Sequence, residues 1–295
     1  MNADRLQTRT AGAVRRRRFT FYVLRFTAAI GWLLLLAATA APSAAYKTEW
    51  VTFPALEKFN GRDVDLDGLL YRPFGKGPFP ALVLMHGCSG MYARSGEVTR
   101  SYLHWAELLA GNGYVTLLVD SFNPRGYSRI CELQDRPIRV NRERVQDAYA
   151  ALRWLEQRTY VAKSRIGLLG WSNGGTGTLY AMRSANRYRG FRAAVAFYPG
   201  CRTLLRSSTP YAVYAPTLIL TGGADDWTPA KYCVALTDIA KEQRAPLEIE
   251  VYPGAHHAFD RLNLRERYRP DVRNLNRPDR KSTRLNSSHM SESRM

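Results

Sequence analysis

The sequence lacks the usual signatures of a metal site or of a repeat protein. None of its four cysteines forms a C-x-x-C pair, and no Cys/His cluster has zinc spacing. No internal repeat occurs, and no linker rich in Pro, Gly or Ser interrupts residues 47–260. We therefore expect one domain over residues 46–260 and no metal or organic cofactor.

A stripe of Lys and Arg interleaved with aromatic residues is also missing from residues 46–260, although the net charge is +18. Residues 1–45 hold seven arginines and one acidic residue, and residues 261–295 hold ten Lys/Arg and four acidic residues, which leaves +6 between them. We therefore expect no nucleic-acid partner. The alternative, a basic binding protein, predicts salt-sensitive DNA binding by residues 46–260 alone.

The first 45 residues have the pattern of a signal peptide. A basic cluster at Arg15–Arg18 precedes an apolar stretch at Phe26–Ala41, and Ser43 and Ala45 stand at the small-residue positions before a cleavage site. Cleavage before Tyr46 predicts a periplasmic or secreted protein. The alternative is an uncleaved anchor, and only that alternative gives the protein a membrane partner.

Export would place all four cysteines in an oxidising compartment. Three pairings of Cys88, Cys131, Cys201 and Cys233 are possible. We favour Cys88 with Cys131 and Cys201 with Cys233, because each pair would lie on loops at the ends of neighbouring strands. Four free thiols that pack as small apolar groups are the alternative.

Short apolar runs alternate with segments of helical period from Lys47 onward. "FPALVLMHG", "YVTLLVDSF" and "APTLILTGG" are apolar throughout, which is typical of strands buried on both faces of a parallel sheet. Two opening strands, "EWVTFP" and "VDLDGLLYRP", are expected to be antiparallel. The pattern predicts an α/β fold, a mostly parallel doubly wound sheet flanked by helices.

Residues 261–295 show no amphipathic period, so we predict an irregular tail and no closing helix. The final stretch, "RKSTRLNSSHMSESRM", resembles foreign tails that recur on unrelated translated sequences. We expect that it replaces the natural C-terminus from about Arg280.

The segment "GLLGWSNGG" contains the pattern G-x-S-x-G directly after an apolar run. A serine at such a strand-to-helix turn is a candidate nucleophile, and a Cβ at Gly170 or Gly174 would crowd the turn. The main-chain amide of Asn173 is a candidate oxyanion donor beside Ser172. The alternative is an ordinary glycine-rich loop.

A nucleophilic serine needs a histidine base and a carboxylate that orients the histidine. "YPGAHHAFD" offers His256 and His257 after the last strand, and "LILTGGADDWTP" offers Asp225 and Asp226 after a buried strand. The aspartates have an alternative role as caps of the helix that begins near Pro229.

The loop after "FPALVLMHG" is expected to supply a second oxyanion donor, the main-chain N–H of Cys88. Four further side chains are candidates for the substrate pocket. They are Trp171, Tyr198, Trp227 and Arg125. An arginine there would favour an acidic substrate group, whereas a structural pair between Arg125 and Asp120 is the alternative.

Together, "LMHGCSG", "DSFNPRG", "GWSNGG", "GGADDWTP" and "YPGAHHAF" resemble the α/β-hydrolase superfamily and, more narrowly, its dienelactone hydrolase family. The resemblance spans residues 49–260. It selects Asp225, in G-x-x-D with proline four residues later, and His257, in H-x-F. Two features depart from the family: founding members use cysteine where this chain has Ser172, and members close with a helix after the histidine loop.

The resemblance implies an exported serine hydrolase that cleaves a small-molecule carboxylic ester or lactone through Ser172, His257 and Asp225. Two alternatives stay open. One is a binding protein that has the fold without turnover, and the other is a peptidase of the same fold.

Overall fold

The computed structural model describes residues 46–262, together with two short strands at 266–267 and 283–284. The predicted signal peptide, residues 1–45, lies outside the described residues. Most of the segment from Arg280 also lies outside them.

The main sheet has eight strands in the order β1-β2-β4-β3-β5-β6-β7-β8. Both predicted opening strands are present and pair antiparallel, β2 pairs antiparallel with β4, and every other neighbouring pair is parallel. The strands are β1 (Tyr46–Pro54), β2 (Asp65–Pro73), β3 (Phe79–Met85), β4 (Val115–Asp120), β5 (Val161–Trp171), β6 (Ala194–Phe197), β7 (Thr217–Gly222) and β8 (Leu247–Tyr252). This is the mostly parallel sheet that the apolar runs predict.

Helices cover both faces of the sheet. They are α1 (Arg100–Gly111), α2 (Glu143–Glu156), α3 (Asn173–Met182) and α4 (Ala230–Glu242), with 3₁₀ turns at Asn123–Arg125 and Leu204–Arg206. One face packs on α2, α3 and α4, and the other packs on α1. None of the helices in residues 46–262 has the length and apolar content needed to cross a bilayer.

The central strand β4 is buried along its whole length, since it lies between helices on both faces. Such a strand needs apolar side chains at successive positions, and this requirement explains the run "VTLLVD". Parallel strands end at one edge of the sheet, so the loops after β3, β5, β6, β7 and β8 are brought together there.

Two disulfides join these loops to neighbouring segments. Cys88 pairs with Cys131 and Cys201 pairs with Cys233, as predicted. The first disulfide ties the loop after β3, and the second ties the loop after β6 to α4.

After β8 the described chain forms turns as far as residue 262. The strands β9 (Glu266–Arg267) and β10 (Thr283–Arg284) then pair antiparallel, within the segment that the sequence predicts as irregular. The expected lack of a closing helix concerns residues that lie mostly outside the described ones.

Candidate active site

Ser172 occupies the sharp turn between β5 and α3. Its backbone has φ 51° and ψ −113°, a conformation that is strained for a residue with a side chain. A Cβ on Gly170 would lie 2.3 Å from the carbonyl oxygen of Gly174, and a Cβ on Gly174 would lie 2.1 Å from that of Met85. Both positions therefore require glycine, as predicted.

Ser172, His257 and Asp225 meet at the edge of the sheet. The Nε2 of His257 lies 3.0 Å from the Oγ of Ser172, and its Nδ1 lies 2.8 Å from the Oδ2 of Asp225. A carboxylate can only accept a hydrogen bond, so Nδ1 carries the proton and Nε2 presents its lone pair to the serine hydroxyl. The arrangement can transfer the serine proton to the imidazole.

The Asp225 carboxylate is buried and uses both of its oxygens. Oδ1 accepts from the backbone N–H groups of Trp227 and Thr228 at 3.0 and 2.8 Å, and Oδ2 faces His257. Although burial alone would raise it, the pKa of Asp225 is held below its usual value by the hydrogen bond and charge of His257 and by the donors of Thr228. One carboxylate thus fixes the turn before α4 and orients the imidazole, whereas Asp226 is exposed.

Thr228 is a site residue that the sequence analysis missed. Its Oγ1 lies 2.7 Å from Oδ2 of Asp225 and 3.1 Å from Nδ1 of His257. A threonine three residues after an aspartate in a turn is a local signal for such a side-chain contact. Its hydroxyl gives Oδ2 a second partner beside the imidazole.

His86, which follows β3, is buried and forms hydrogen bonds with backbone groups of two loops. Its Nδ1 donates to the carbonyl of Gly87 at 2.8 Å, and its Nε2 accepts from the backbone N–H of Ser121 at 3.2 Å. Burial and the nearby charge of Arg144 place the pKa of His86 well below its usual value. His86 is therefore neutral and shapes the loop after β3.

The two segments that carry the candidate oxyanion donors border Ser172. Asn173 is the first residue of α3, where a backbone N–H has no intrahelical partner. Gly87, on the loop after β3, lies so close that a Cβ there would be 3.5 Å from the Cβ of Ser172. Cys88 follows Gly87 and is held by its disulfide, so both candidate oxyanion donors lie on segments that border Ser172.

The predicted pocket residues differ in their exposure. Trp227 is 52% exposed, and its ring centroid lies 5.0 Å from that of His257. Tyr198 is buried with its ring 4.7 Å from the imidazole. The prediction for Trp171 is wrong, because the indole is 1% exposed and packs among aromatic rings beneath α1.

The prediction that Arg125 lines the pocket is also wrong. Its side chain is 1% exposed, and the guanidinium forms a two-pronged pair with Asp147 at 2.7 and 2.9 Å. Arg125 does form a structural ion pair, as the alternative predicts, but its partner is not Asp120. The Asp120 carboxylate instead accepts from the backbone N–H groups of Phe122 and Asn123. A buried, paired guanidinium is not available to a substrate carboxylate.

Within residues 46–262, no three His, Cys, Asp or Glu side chains are grouped closely enough to hold a metal ion. The chemistry of the site described above is that of a hydroxyl, an imidazole, a carboxylate and backbone amides.

Comparison with known proteins identifies the family of this chain. The model of the dienelactone hydrolase family matches residues 66–275. A Bradyrhizobium protein named "Probable 2-oxo-3-(5-oxofuran-2-ylidene)propanoate lactonase" is 30% identical over 213 residues, which cover 68% of this chain and 81% of the relative.

Two solved structures share the fold. Esterase 2 of Thermogutta terrifontis has a TM-score of 0.54 at 20% identity, over 76% of this chain and 89% of the esterase. The acylaminoacyl peptidase of Pyrococcus horikoshii has a TM-score of 0.55 at 19% identity, over 77% of this chain but only 39% of the peptidase. At these identities the likeness shows the fold alone.

Proposed function

Because this chain belongs to the dienelactone hydrolase family and is a hydrolase that acts on ester bonds, we propose that it cleaves a carboxylic ester or lactone through an acyl-enzyme on Ser172. The observation that carries the proposal is the continuous line of contacts from the Ser172 hydroxyl through His257 to Asp225, at 3.0 and 2.8 Å. Nucleophile, base and orienting acid are in hydrogen-bond reach of one another, which the reaction requires.

In the first half of the reaction, the Oγ of Ser172 attacks the substrate carbonyl while Nε2 of His257 takes the hydroxyl proton. The imidazolium that forms is stabilised by the Asp225 carboxylate on its other side. The backbone N–H groups of Asn173 and Cys88 receive the negative charge that develops on the carbonyl oxygen. Collapse of this intermediate breaks the C–O bond, and the imidazolium protonates the departing alkoxide.

In the second half, water attacks the acyl-enzyme. Nε2 of His257 takes a proton from the water, the acid product leaves, and the proton returns to Oγ of Ser172. When the substrate is a lactone, the released alcohol and the acid belong to one molecule, so the ring opens with no separate leaving group.

The nucleophile limits what the family resemblance implies about the substrate. Founding dienelactone hydrolases use cysteine at the turn, whereas this chain has Ser172, so we do not extend the proposal to dienelactone itself. The exposed Trp227 beside His257 offers an apolar surface to the acyl or alcohol part of a small ester. The proposed substrate is therefore a small carboxylic ester or lactone. Because Arg125 is buried in an ion pair, it does not select substrates that carry an acidic group.

The test is hydrolysis of short p-nitrophenyl esters and of a lactone panel by the full chain and by Ser172→Ala. We expect the variant to lose more than about 10³-fold in kcat, because the nucleophile is removed. Retention of wild-type hydrolysis by folded Ser172→Ala would refute the proposal.

Two further measurements on the same proteins separate the two other functions that the fold allows. A binding protein without turnover would not react with a fluorophosphonate probe, whereas an activated Ser172 is labelled and Ser172→Ala is not. A peptidase would cleave acylated peptide amides at rates that match those of the esters. The fold shared with the acylaminoacyl peptidase is the specific reason to include those amides.

We further propose that the protein is exported, with residues 1–45 as a cleaved signal. The two disulfides within residues 46–262 support this proposal, since disulfides persist in oxidising compartments. Fractionation of expressing cells, with N-terminal sequencing of the product, tests it. A product that retains residues 1–45 in the cytosol contradicts it.

A further inference from the structure

The carboxylate of Asp260 accepts hydrogen bonds from three elements that are distant in the chain. Its Oδ2 lies 2.9 Å from the indole Nε1 of Trp105 and 2.8 Å from that of Trp171, and its Oδ1 lies 2.6 Å from the hydroxyl of Tyr198. Trp105 belongs to α1, Trp171 ends β5, and Tyr198 follows β6. No step of the proposed reaction uses these contacts.

The three donors suit a carboxylate. An indole N–H can only donate a hydrogen bond, and a carboxylate has two oxygens that only accept. The rings around it form one cluster, with Trp171 at centroid distances of 6.3 Å from Trp105 and 5.9 Å from Phe197. An apolar side chain at position 260 would leave the indole donors without their acceptor in this largely apolar surrounding.

Two of the partners of Asp260, Trp171 and Tyr198, also adjoin residues of the reaction. Trp171 precedes Ser172 in the chain, and Asp260 follows His257 by three residues. The ring of Tyr198 stands edge-on to the imidazole at a centroid distance of 4.7 Å. The carboxylate therefore connects the loop that carries His257 to the end of the strand that precedes Ser172.

The hydrogen bond to Asp260 involves a residue, Tyr198, whose backbone is strained. Its φ is +37°, which a non-glycine residue adopts only when its surroundings fix it. The backbone N–H donates to the carbonyl of Leu220 at 2.7 Å, and the hydroxyl donates to Asp260. The side chain that packs on His257 is thus fixed at both ends.

We propose that Asp260 is a positioning residue, whose carboxylate locks the His257 loop onto the strand of Ser172 through Trp105, Trp171 and Tyr198. The inference rests on the proposed function, because it concerns the distance between His257 and the nucleophile. A displacement of about 1 Å between reacting groups can cost about 100-fold in rate. Contacts that fix the position of His257 relative to Ser172 should therefore affect kcat.

Two substitutions separate hydrogen bonding from size. In Asp260→Asn, the amide oxygen can accept both indole N–H groups, and the amide nitrogen can donate to the Tyr198 hydroxyl, which is also an acceptor. Asp260→Leu has the same branched arrangement of four heavy atoms, with two methyl groups in place of the oxygens and no acceptor. We expect Asp260→Leu to lower kcat about 100-fold with KM within about threefold, and Asp260→Asn to stay within about fivefold of the wild type.

A remote variant serves as the matched stability control. Tyr149→Phe removes a buried hydroxyl that bonds the carbonyl of Ala181 at 2.9 Å, at the far end of α3 from Ser172. It loses folded stability without touching the His257 loop, so its kcat should equal that of the wild type below the melting temperature. This comparison distinguishes positioning from a general loss of stability.

The experiment measures kcat and KM for a short p-nitrophenyl ester, the rate of fluorophosphonate labelling and thermal unfolding for all variants. If Asp260→Leu does not fold, Tyr198→Phe replaces it, with an expected fall of about fivefold in kcat at unchanged KM. NMR signals of the indole N–H groups should shift in Asp260→Leu and persist in Asp260→Asn.

Ser172→Ala, measured in parallel, keeps the two proposals distinguishable. If Ser172→Ala is inactive while folded Asp260→Leu or Tyr198→Phe keeps wild-type kcat, the role of Asp260 is overturned and the proposed function stands. An Asp260→Asn variant as impaired as Asp260→Leu also overturns it. If Ser172→Ala keeps its activity, both proposals fail together.

Discussion

The hydroxyl of Thr228 lies 2.7 Å from Oδ2 of Asp225, the same carboxylate oxygen that faces Nδ1 of His257. The imidazole and the hydroxyl thus converge on one oxygen, while the other oxygen is held by backbone amides. The acid of the candidate triad is fixed in orientation before any substrate binds.

Replacing Thr228 by valine should lower kcat for a short ester about tenfold, because a hydrogen bond to a charged group is worth about 1.5–3 kcal/mol. Thr228→Ser keeps the hydroxyl and should retain most of the activity. Steady-state kinetics of the two variants measure the difference, and equal kcat values for valine and serine would contradict the assigned role.

The buried His86 predicts a stability that falls in mild acid. Since its pKa is lowered in the folded state, the unfolded chain binds one more proton as pH falls below about 6.5. The free energy of unfolding should then decrease by up to about 1.4 kcal/mol per pH unit from this residue. Urea unfolding at pH 7.5, 6.5 and 5.5 measures it.

His86→Gln provides the comparison for that titration. Glutamine can donate and accept as the neutral imidazole does, but it does not titrate. The variant should show a smaller pH dependence than the wild type over the same interval. Identical slopes for the two proteins would show that His86 does not contribute.

The two disulfides form a natural matched pair. Their cysteines are separated by 43 and 32 residues in sequence. The loss of chain entropy in the unfolded state predicts about 4 kcal/mol of stabilisation from each disulfide. The double serine variants should therefore lose similar stability. Only the Cys88 and Cys131 variant should also lose kcat, by about tenfold or more, because it frees the loop that offers the Cys88 amide. Equal kcat in both double variants would contradict this.

The pair between Arg125 and Asp147 predicts a loss of stability without a change in substrate preference. Arg125→Ala removes the two-pronged ion-pair partner of a buried carboxylate, which should cost about 3–5 kcal/mol of folding free energy. Arg129→Ala, at an exposed arginine paired with Glu132, should cost less than about 1 kcal/mol. The ratio of activity on anionic and neutral esters should be unchanged in folded Arg125→Ala, and a selective loss on anionic esters would restore a substrate role.

Local patterns predict the frame of the site well. The apolar runs place β3, β4 and β7, and the glycines around Ser172 favour a sharp turn. The structure confirms that turn, since a Cβ on either glycine would overlap backbone atoms. The order of serine, aspartate and histidine along the chain then places three loops at one edge of the sheet. Each of these inferences depends on neighbours in sequence.

Contacts between distant segments were not predictable in the same way. The apolar period of α2 is visible in the sequence, but it hides the buried Asp147 that pairs with Arg125. Trp171 stands next to the nucleophile, yet the last position of β5 points toward α1, and its acceptor Asp260 is 89 residues away. Sequence neighbours therefore indicated a pocket role that the packing does not support.

Gly174 touches the carbonyls of Met85 and His86 so closely that not even a methyl group fits there. The start of α3 consequently packs directly on the backbone at the end of β3, and position 174 accepts no larger residue. Attempts to redirect this enzyme to new compounds should leave the bend untouched and diversify exposed positions such as Trp227, where the surroundings impose no comparable steric demand.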